Sequence, residues 1–165
     1  CGGGGGAALK DVGVFSGGKG FQGIVVVRVN VREKVVVSMD DPTWGYKILG
    51  LGSTGHEKVY VFTNTAAQMT WTAPVGTTTA ELLVVGGGGA GGDKDFEAIG
   101  GGGGGAGGYR YFSKQTVLPG QSYLVAVGKG GLSTENAGGD SVFGEIVAKG
   151  GGREDGDSPF ECEPD

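Results

Sequence analysis

The sequence predicts an all-β fold, either a sheet or a sandwich, in which glycine-rich tracts alternate with strands. Dense runs of β-branched and other apolar residues recur along the chain, and glycine tracts or turn-forming residues bound each of them. No stretch of ten or more residues combines a helical period with capping residues. The 40 glycines follow no Gly-X-Y repeat, which excludes collagen, and the β-branched runs exclude generic disorder.

Seven segments have the composition of strands. They are 21–29, 31–39, 58–63, 79–85, 109–117, 121–127 and 141–149. Two tripeptides, Pro74-Val75-Gly76 and Leu118-Pro119-Gly120, are typical of tight turns between strands.

Glycine tracts occupy 2–6, 86–92, 100–108 and 150–152. Such a tract is either a flexible linker or an extended polyglycine II helix that packs against others, because no Cβ keeps the backbones apart. These tracts adjoin valine-rich strands and do not alternate with serine, which favours packing. We therefore expect four glycines to lie in close backbone contacts: Gly86, Gly88, Gly102 and Gly103. A valine introduced at Gly103 is expected to destabilise the fold.

The net charge of −5 comes from the acidic stretch 153–165, which has six acids and one base. The rest of the chain carries equal numbers of acids and bases and has no basic stripe, which argues against binding nucleic acid through its phosphates. No apolar run approaches the ~18 residues that a membrane-spanning helix needs.

Few residues of the sequence are candidates for catalysis or for binding a nucleotide. Gly86, Gly88 and Gly91 match the dinucleotide-binding pattern, but that pattern requires a helix directly after the turn, and the residues that follow do not favour one. His56 is the only histidine, so no catalytic couple with Ser or Cys is supported beyond it. We expect neither an enzyme nor a bound cofactor or metal.

Cys1 and Cys162 are too few and too far apart in sequence for a zinc site, and they predict a disulfide in an extracellular setting. Attachment of a lipid to Cys1 is the alternative. Among the aromatic residues, Trp71 is expected in the core. Trp44 and Tyr46 lie in or next to a turn-like stretch and are candidates for a ligand platform.

Four motifs together resemble the glycine-rich domain of phage tail fibres and bacterial surface proteins. They are MTWTAPVGTTTAELLVVGGGGAGG (69–92), the stretch 100–131, GGDSVFGEIVAKGGG (138–152) and SGGKGFQGIVVVRV (16–29). The resemblance implies a β-sheet with glycine-rich loops or polyglycine helices, no catalysis, and an extracellular, cell-surface or virion location. The motif at 16–29 closes the domain in that family, whereas here it precedes the other three.

Three explanations of this changed order remain open. The strand formed by Ile24, Val25, Val26 and Val27 could complete a neighbouring subunit and so build a head-to-tail polymer, the chain could be a circular permutation, or it could be one part of a tandem array. The corresponding division of the chain is an N-terminal glycine-rich strand segment (1–30), a linking strand and turns (31–58), and a glycine-rich β domain with an acidic tail (59–165).

The function expected from these features is that of a structural subunit of a surface filament or fibre, with copies of itself as partners. A disulfide between Cys1 and Cys162 of successive subunits would lock such a polymer. The alternative is an adhesin that recognises a glycan or protein on a host surface.

Overall fold

The computed structural model describes residues 17–30, 40–41, 46–49, 57–92, 102–132 and 137–152. These residues form ten strands and no helix, which confirms the prediction of an all-β fold. Because the described part contains no helix, it also contains none that could cross a membrane.

The strands, in chain order, are β1 (Ile24–Asn30), β2 (Asp40–Asp41), β3 (Tyr46–Leu49), β4 (Glu57–Phe62), β5 (Met69–Thr72), β6 (Thr79–Val85), β7 (Tyr109–Thr116), β8 (Ser122–Ala126), β9 (Ser141–Phe143) and β10 (Ile146–Ala148). They form two antiparallel sheets. The first sheet has the order β2-β3-β4-β1-β6-β7, and the second has the order β10-β9-β8-β5.

The two sheets bury one shared apolar core. Alternate residues of β1 and β6, including Val25, Val27, Leu82 and Val84, are fully buried, because successive side chains of a strand point to opposite faces. Side chains of the second sheet, such as Phe143, belong to the same buried cluster. The fold is therefore a β-sandwich.

Turns lie where the sequence predicts them. Thr77 donates its backbone N–H to the carbonyl of Pro74 at 3.0 Å, and Gln121 donates to Leu118 at 3.0 Å. The third residue of each turn, Gly76 and Gly120, has a positive φ of 85° and 75°, a conformation that glycine adopts without a steric penalty.

Two details differ from the sequence-based expectation. The single strand predicted over 141–149 is wrong, because a turn at Gly144, whose φ is 58°, divides it into β9 and β10. The short strands β2, β3 and β5 were not predicted, because runs of two to four residues are too short to stand out from the flanking turn residues. Predicted strand 31–39 lies outside the described residues.

Strand β1 lies inside its own sheet. β4 pairs with one edge of it, for example Val27 opposite Tyr60, and β6 pairs with the other edge, for example Val27 opposite Leu82. Both edges of the segment Ile24 to Val27 are therefore occupied by strands of the same chain. This pairing joins the described parts of 1–30 and 59–165 in one sheet.

Candidate functional site: a bundle of glycine segments

Six extended glycine-rich segments continue the strands at one end of the sandwich. In chain order they are segment I (17–23), segment II (86–92), segment III (102–108), segment IV (128–132), segment V (137–140) and segment VI (149–152). Segments I, III and V lead into β1, β7 and β9, whereas segments II, IV and VI leave β6, β8 and β10. The direction of the chain therefore alternates between segments that enter and segments that leave the sandwich.

Segment II lies at the centre of this bundle and is bonded to segment III at every third residue. The backbone N–H groups of Gly86, Gly89 and Gly92 donate to carbonyls of segment III at 2.8 to 2.9 Å. A spacing of three residues matches the threefold repeat of a polyglycine II helix, which has no hydrogen bonds of its own. The hydrogen bonds of these glycine tracts therefore run between segments.

The other N–H groups of segment II point in two further directions. Those of Gly88 and Gly91 donate to segment I at 2.8 and 3.0 Å, and that of Gly87 donates to segment V at 2.9 Å. Carbonyls of segment II accept from the remaining two segments, since Gly131 donates to Gly88 and Gly151 donates to Gly87, both at 2.8 Å. Segment II thus has five bonded neighbours.

The surrounding segments are also bonded to one another, in the order I, IV, V, VI, III. Segment I donates to segment IV through Gly20 and Gly23 at 2.9 Å, and segment III donates to segment VI through Gly105 at 2.8 Å and Gly108 at 2.6 Å. One backbone–backbone bond of 2.8 Å joins segments IV and V, and another of 2.8 Å joins segments V and VI. No bond between segments I and III occurs among the described residues.

Glycine is required here because the backbones touch. A Cβ atom added to Gly87 would collide with the carbonyl of Lys129, and one added to Gly89 would collide with that of Gly152. Of the four glycines predicted to pack, Gly86 and Gly88 are buried in segment II, whereas Gly102 is half-buried and Gly103 is exposed on segment III. Of these four glycines, those of the central segment are therefore the more deeply buried.

A period of three also occurs in segments I and III, and the sequence analysis missed it. In segment I, a Cβ at Gly17, Gly20 or Gly23 would overlap carbonyl oxygens of segment II or of Val85, whereas Lys19 and Phe21 between them carry side chains. In segment III, Gly104 and Gly107 have the same role. Glycine at every third position is the signal that could have identified these segments.

One side chain connects the second sheet to the bundle, and another connects two segments of the bundle, V and VI. The buried Ser141 Oγ accepts the N–H of Gly128 at 2.9 Å. The Asp140 carboxylate accepts the N–H of Gly150 at 2.9 Å and the Lys149 ammonium at 2.8 Å. The hydrogen bond from Lys149, followed by that from Gly150, lowers the pKa of Asp140 below its ordinary value of 3.8.

Of the aromatic residues singled out in the sequence, one lies in the core, one lies in a strand of the first sheet, and one lies outside the described residues. Trp71 is buried, as expected, and its ring lies 5.6 to 5.8 Å from the rings of Tyr60, Tyr123 and Phe143. Its Nε1 is buried and has no hydrogen-bond partner within the described part of the chain. Of the predicted ligand platform, Tyr46 pairs with Phe62 at the start of β3, and Trp44 lies outside the described residues.

A charged cluster lies on the outer face of the first sheet. Arg28 binds Glu57 at 2.7 Å and Glu81 at 3.1 Å, and the Tyr111 hydroxyl donates to Glu81 at 2.6 Å. The hydrogen bond to Glu81 raises the pKa of Tyr111, and the bond to Glu57 raises that of Arg28. These exposed cross-strand pairs contribute little to stability.

A groove of about 610 Å³ lies beside segments I and IV. Its lining includes Lys19 and Phe21 from segment I and Lys129 and Leu132 from segment IV. The two apolar side chains are exposed to 69% and 56%, which places apolar surface next to two cations. This groove is the described feature best suited to hold a ligand.

The predicted reactive residues, His56, Cys1 and Cys162, lie outside the described ranges. Within those ranges, no three His, Cys, Asp or Glu side chains come close enough to hold a metal ion. The glycine pattern at Gly86, Gly88 and Gly91 lies in extended chain at the centre of the bundle, where it does not begin a helix.

Comparison with known families identifies the chain. A family model described as a glycine-rich domain matches residues 63–161, which is more than half of the sequence. The chain belongs to this glycine-rich domain family. Searches of curated proteins and of solved structures find no match.

The glycine-rich domain match covers segments II to VI and begins after segment I and β1. Yet β1 pairs with β6, and segment I donates to segment IV and accepts from segment II. In this chain, the N-terminal motif therefore completes both the sheet and the bundle of the matched region.

Proposed function

We propose that this chain is a non-catalytic structural module of an extracellular or virion surface filament or fibre, and that it assembles with copies of itself. The observation that carries this proposal is the bundle, in which the buried segment II is bonded to five neighbours through backbone groups. Such a core holds its shape without a ligand. A stiff element is what a fibre needs.

The surface of the sandwich supports association between copies. β7 is the last strand of the first sheet, so its outer edge has no strand partner among the described residues. It exposes Tyr109 to 56% and Tyr111 to 49%. An unpaired edge with exposed aromatic residues can add a strand from another chain, whereas β1 is occupied on both sides.

Electron microscopy of the native material tests this function, together with light scattering at increasing protein concentration. We expect periodic filaments and a molar mass that rises with concentration. Lysine substitution of Tyr111 should reduce assembly, because charge at a sheet edge disfavours pairing. Lysine at the exposed Val75, which lies in a turn, is the matched control.

Covalent linkage between subunits is a separate readout. If Cys1 and Cys162 join successive copies, non-reducing electrophoresis will show a ladder that collapses with a thiol reductant, and Cys1→Ser will abolish it. A single monomer band, with a constant monomeric mass in solution, would contradict assembly by self-association.

The second candidate function is that of an adhesin for a host-surface glycan or protein, and the groove beside segments I and IV favours it. Exposed Phe21 and Leu132 offer apolar contacts, and Lys19 and Lys129 offer positive charge. Binding to a glycan array that is lost in Phe21→Ser and retained in Val75→Ser would support this candidate. Isolated particles without filaments would favour it over the first.

A further inference from the structure

We propose that the groove between segments I and III is the docking position of a sixth neighbour of segment II, and that Gly2–Gly6 of this chain occupies it. Five bonded neighbours follow one another around segment II in the order I, IV, V, VI, III. A threefold helix directs three rows of N–H groups and three rows of carbonyls outward, so it can bond six neighbours. The position without a described occupant lies between I and III.

The rows of N–H groups and carbonyls alternate around segment II, so its third row of carbonyls, which contains Gly86 and Gly89, faces this position. The other rows show what such a carbonyl normally contacts. The Gly88 carbonyl lies against Gly20 of segment I and also accepts from Gly131 of segment IV. The Gly87 carbonyl lies against Gly138 and accepts from Gly151. Each of these oxygens therefore has one close backbone neighbour and one donor.

The row toward the groove has the neighbour but not the donor. The carbonyls of Gly86 and Gly89 lie against Gly107 and Gly104 of segment III. Gly86 and Gly89 are buried, yet no described N–H donates to the carbonyl of either residue. Buried backbone acceptors without a partner are rare in folded proteins. The missing donors should therefore come from a chain lying in the groove.

The spacing and surroundings of these acceptors restrict the occupant. They are three residues apart, about 9 Å along an extended helix, so the occupant must present N–H groups at the same interval. Its inner side would touch the backbones of three segments, which leaves no room for a Cβ. A run of glycines meets both conditions, and in Gly2–Gly6 the amides of Gly3 and Gly6, or of Gly2 and Gly5, have the required interval.

Chain direction favours the same occupant. Around segment II, the entering segments I, V and III alternate with the leaving segments IV and VI. A leaving segment between I and III would complete the alternation. A tract that precedes segment I and reverses direction before it is a leaving segment, and the ten residues 7–16 exceed the two to eight that a reversal commonly takes.

Valine substitutions test the occupant. In the full chain, Gly3→Val with Gly6→Val and, separately, Gly2→Val with Gly5→Val place side chains on the two candidate rows. We expect at least one pair to lower the melting temperature by about 5 °C or more. Valine at Ala7 and Ala8 is the matched control, because these positions already carry a Cβ, and it should change the melting temperature by less than about 2 °C.

Nuclear magnetic resonance identifies the bonds directly. We expect amide exchange within Gly2–Gly6 to be at least about tenfold slower than in an unfolded chain, and couplings across hydrogen bonds from two of these amides to the carbonyls of Gly86 and Gly89. Rapid exchange of all five amides, with no destabilisation in either valine pair, would overturn the proposal.

A mixture of ¹⁵N-labelled and ¹³C-labelled chains separates the two sources of the tract. Couplings between differently labelled molecules would show that a second copy fills the groove, which would overturn the assignment to the same chain. Filament formation is scored independently by electron microscopy, so failure here is distinguishable from failure of the proposed function.

Discussion

The sandwich and the glycine bundle are built from the same stretches of chain but are stabilised in different ways. In the sandwich, buried side chains such as Leu82 and Phe143 fill the space between two sheets. In the bundle, glycines leave the packed sides of the chain without side chains, and backbone groups of Gly87, Gly88 and Gly89 bond directly to neighbouring segments. The sandwich is therefore stabilised by the volume of its buried side chains, whereas the bundle can pack only where side chains are absent.

The largest effect is expected from adding volume to the centre of the bundle. Gly89→Val should destabilise the fold by more than about 4 kcal/mol, because the new side chain collides with the backbone of Gly152, which cannot move away without breaking other bonds. Chemical denaturation or the loss of a cooperative melting transition measures it. Gly152→Val is the control, since a Cβ there meets nothing within 4 Å, and equal losses in both variants would contradict the packed bundle.

Removing volume from the sandwich should have the next largest effect. Leu82→Ala should lower the free energy of unfolding by about 3 kcal/mol, because Leu82 is fully buried and the cavity it leaves is only partly refilled. Urea denaturation provides the measurement. At Leu124, which is 43% exposed, the same substitution should cost less than about 1 kcal/mol, and a similar cost at the two sites would mean that the core is not close-packed.

The smallest effect is expected at Asp140, where a side chain connects two bundle segments. The pKa of its carboxyl is lowered in the folded state, so its contribution to stability is present above the ordinary value of 3.8 and is lost as the pH falls below that value through the lowered pKa. Because the pair with Lys149 is exposed, the contribution should stay below about 1 kcal/mol.

Asp140→Asn should therefore be slightly less stable than the wild type at pH 6, and the difference should shrink between pH 4 and pH 2. Thermal melts across this range measure the effect. Lys149→Met removes the largest cause of the shift and should raise the pKa of Asp140 toward its ordinary value. A difference between wild type and Asp140→Asn that stays constant down to pH 2 would show that the carboxylate does not connect the segments.

Strands and turns were largely predictable from the sequence because their signals are local. Alternating burial in β1 and β6 follows from runs of apolar residues, and Gly76 and Gly120 mark their turns. β5 was missed because four residues give too short a pattern. The position of β1 between β4 and β6 was not predictable, because the residues of a strand do not indicate which distant strand it pairs with.

Only part of the bundle was predictable from the sequence, because an interrupted glycine pattern is harder to recognise than an unbroken one. An unbroken run such as Gly86 to Gly89 indicates a position where no side chain fits. Segment I was not recognised, because Lys19 and Phe21 interrupt its glycines and only the spacing of Gly17, Gly20 and Gly23 shows which side is packed. A glycine pattern reveals that backbones meet, but not which ones.

The repeat of three residues in segment II has a consequence for the register of the bundle. A featureless glycine helix that slides by one full turn presents the same bonds to its neighbours, so the bundle alone does not fix how its segments align. The paired strands of the sandwich must fix it, since a slip of three residues would carry buried side chains such as Val84 to the opposite face. The sandwich thus sets the alignment, while the length of the bundle is free to change in steps of one turn per segment.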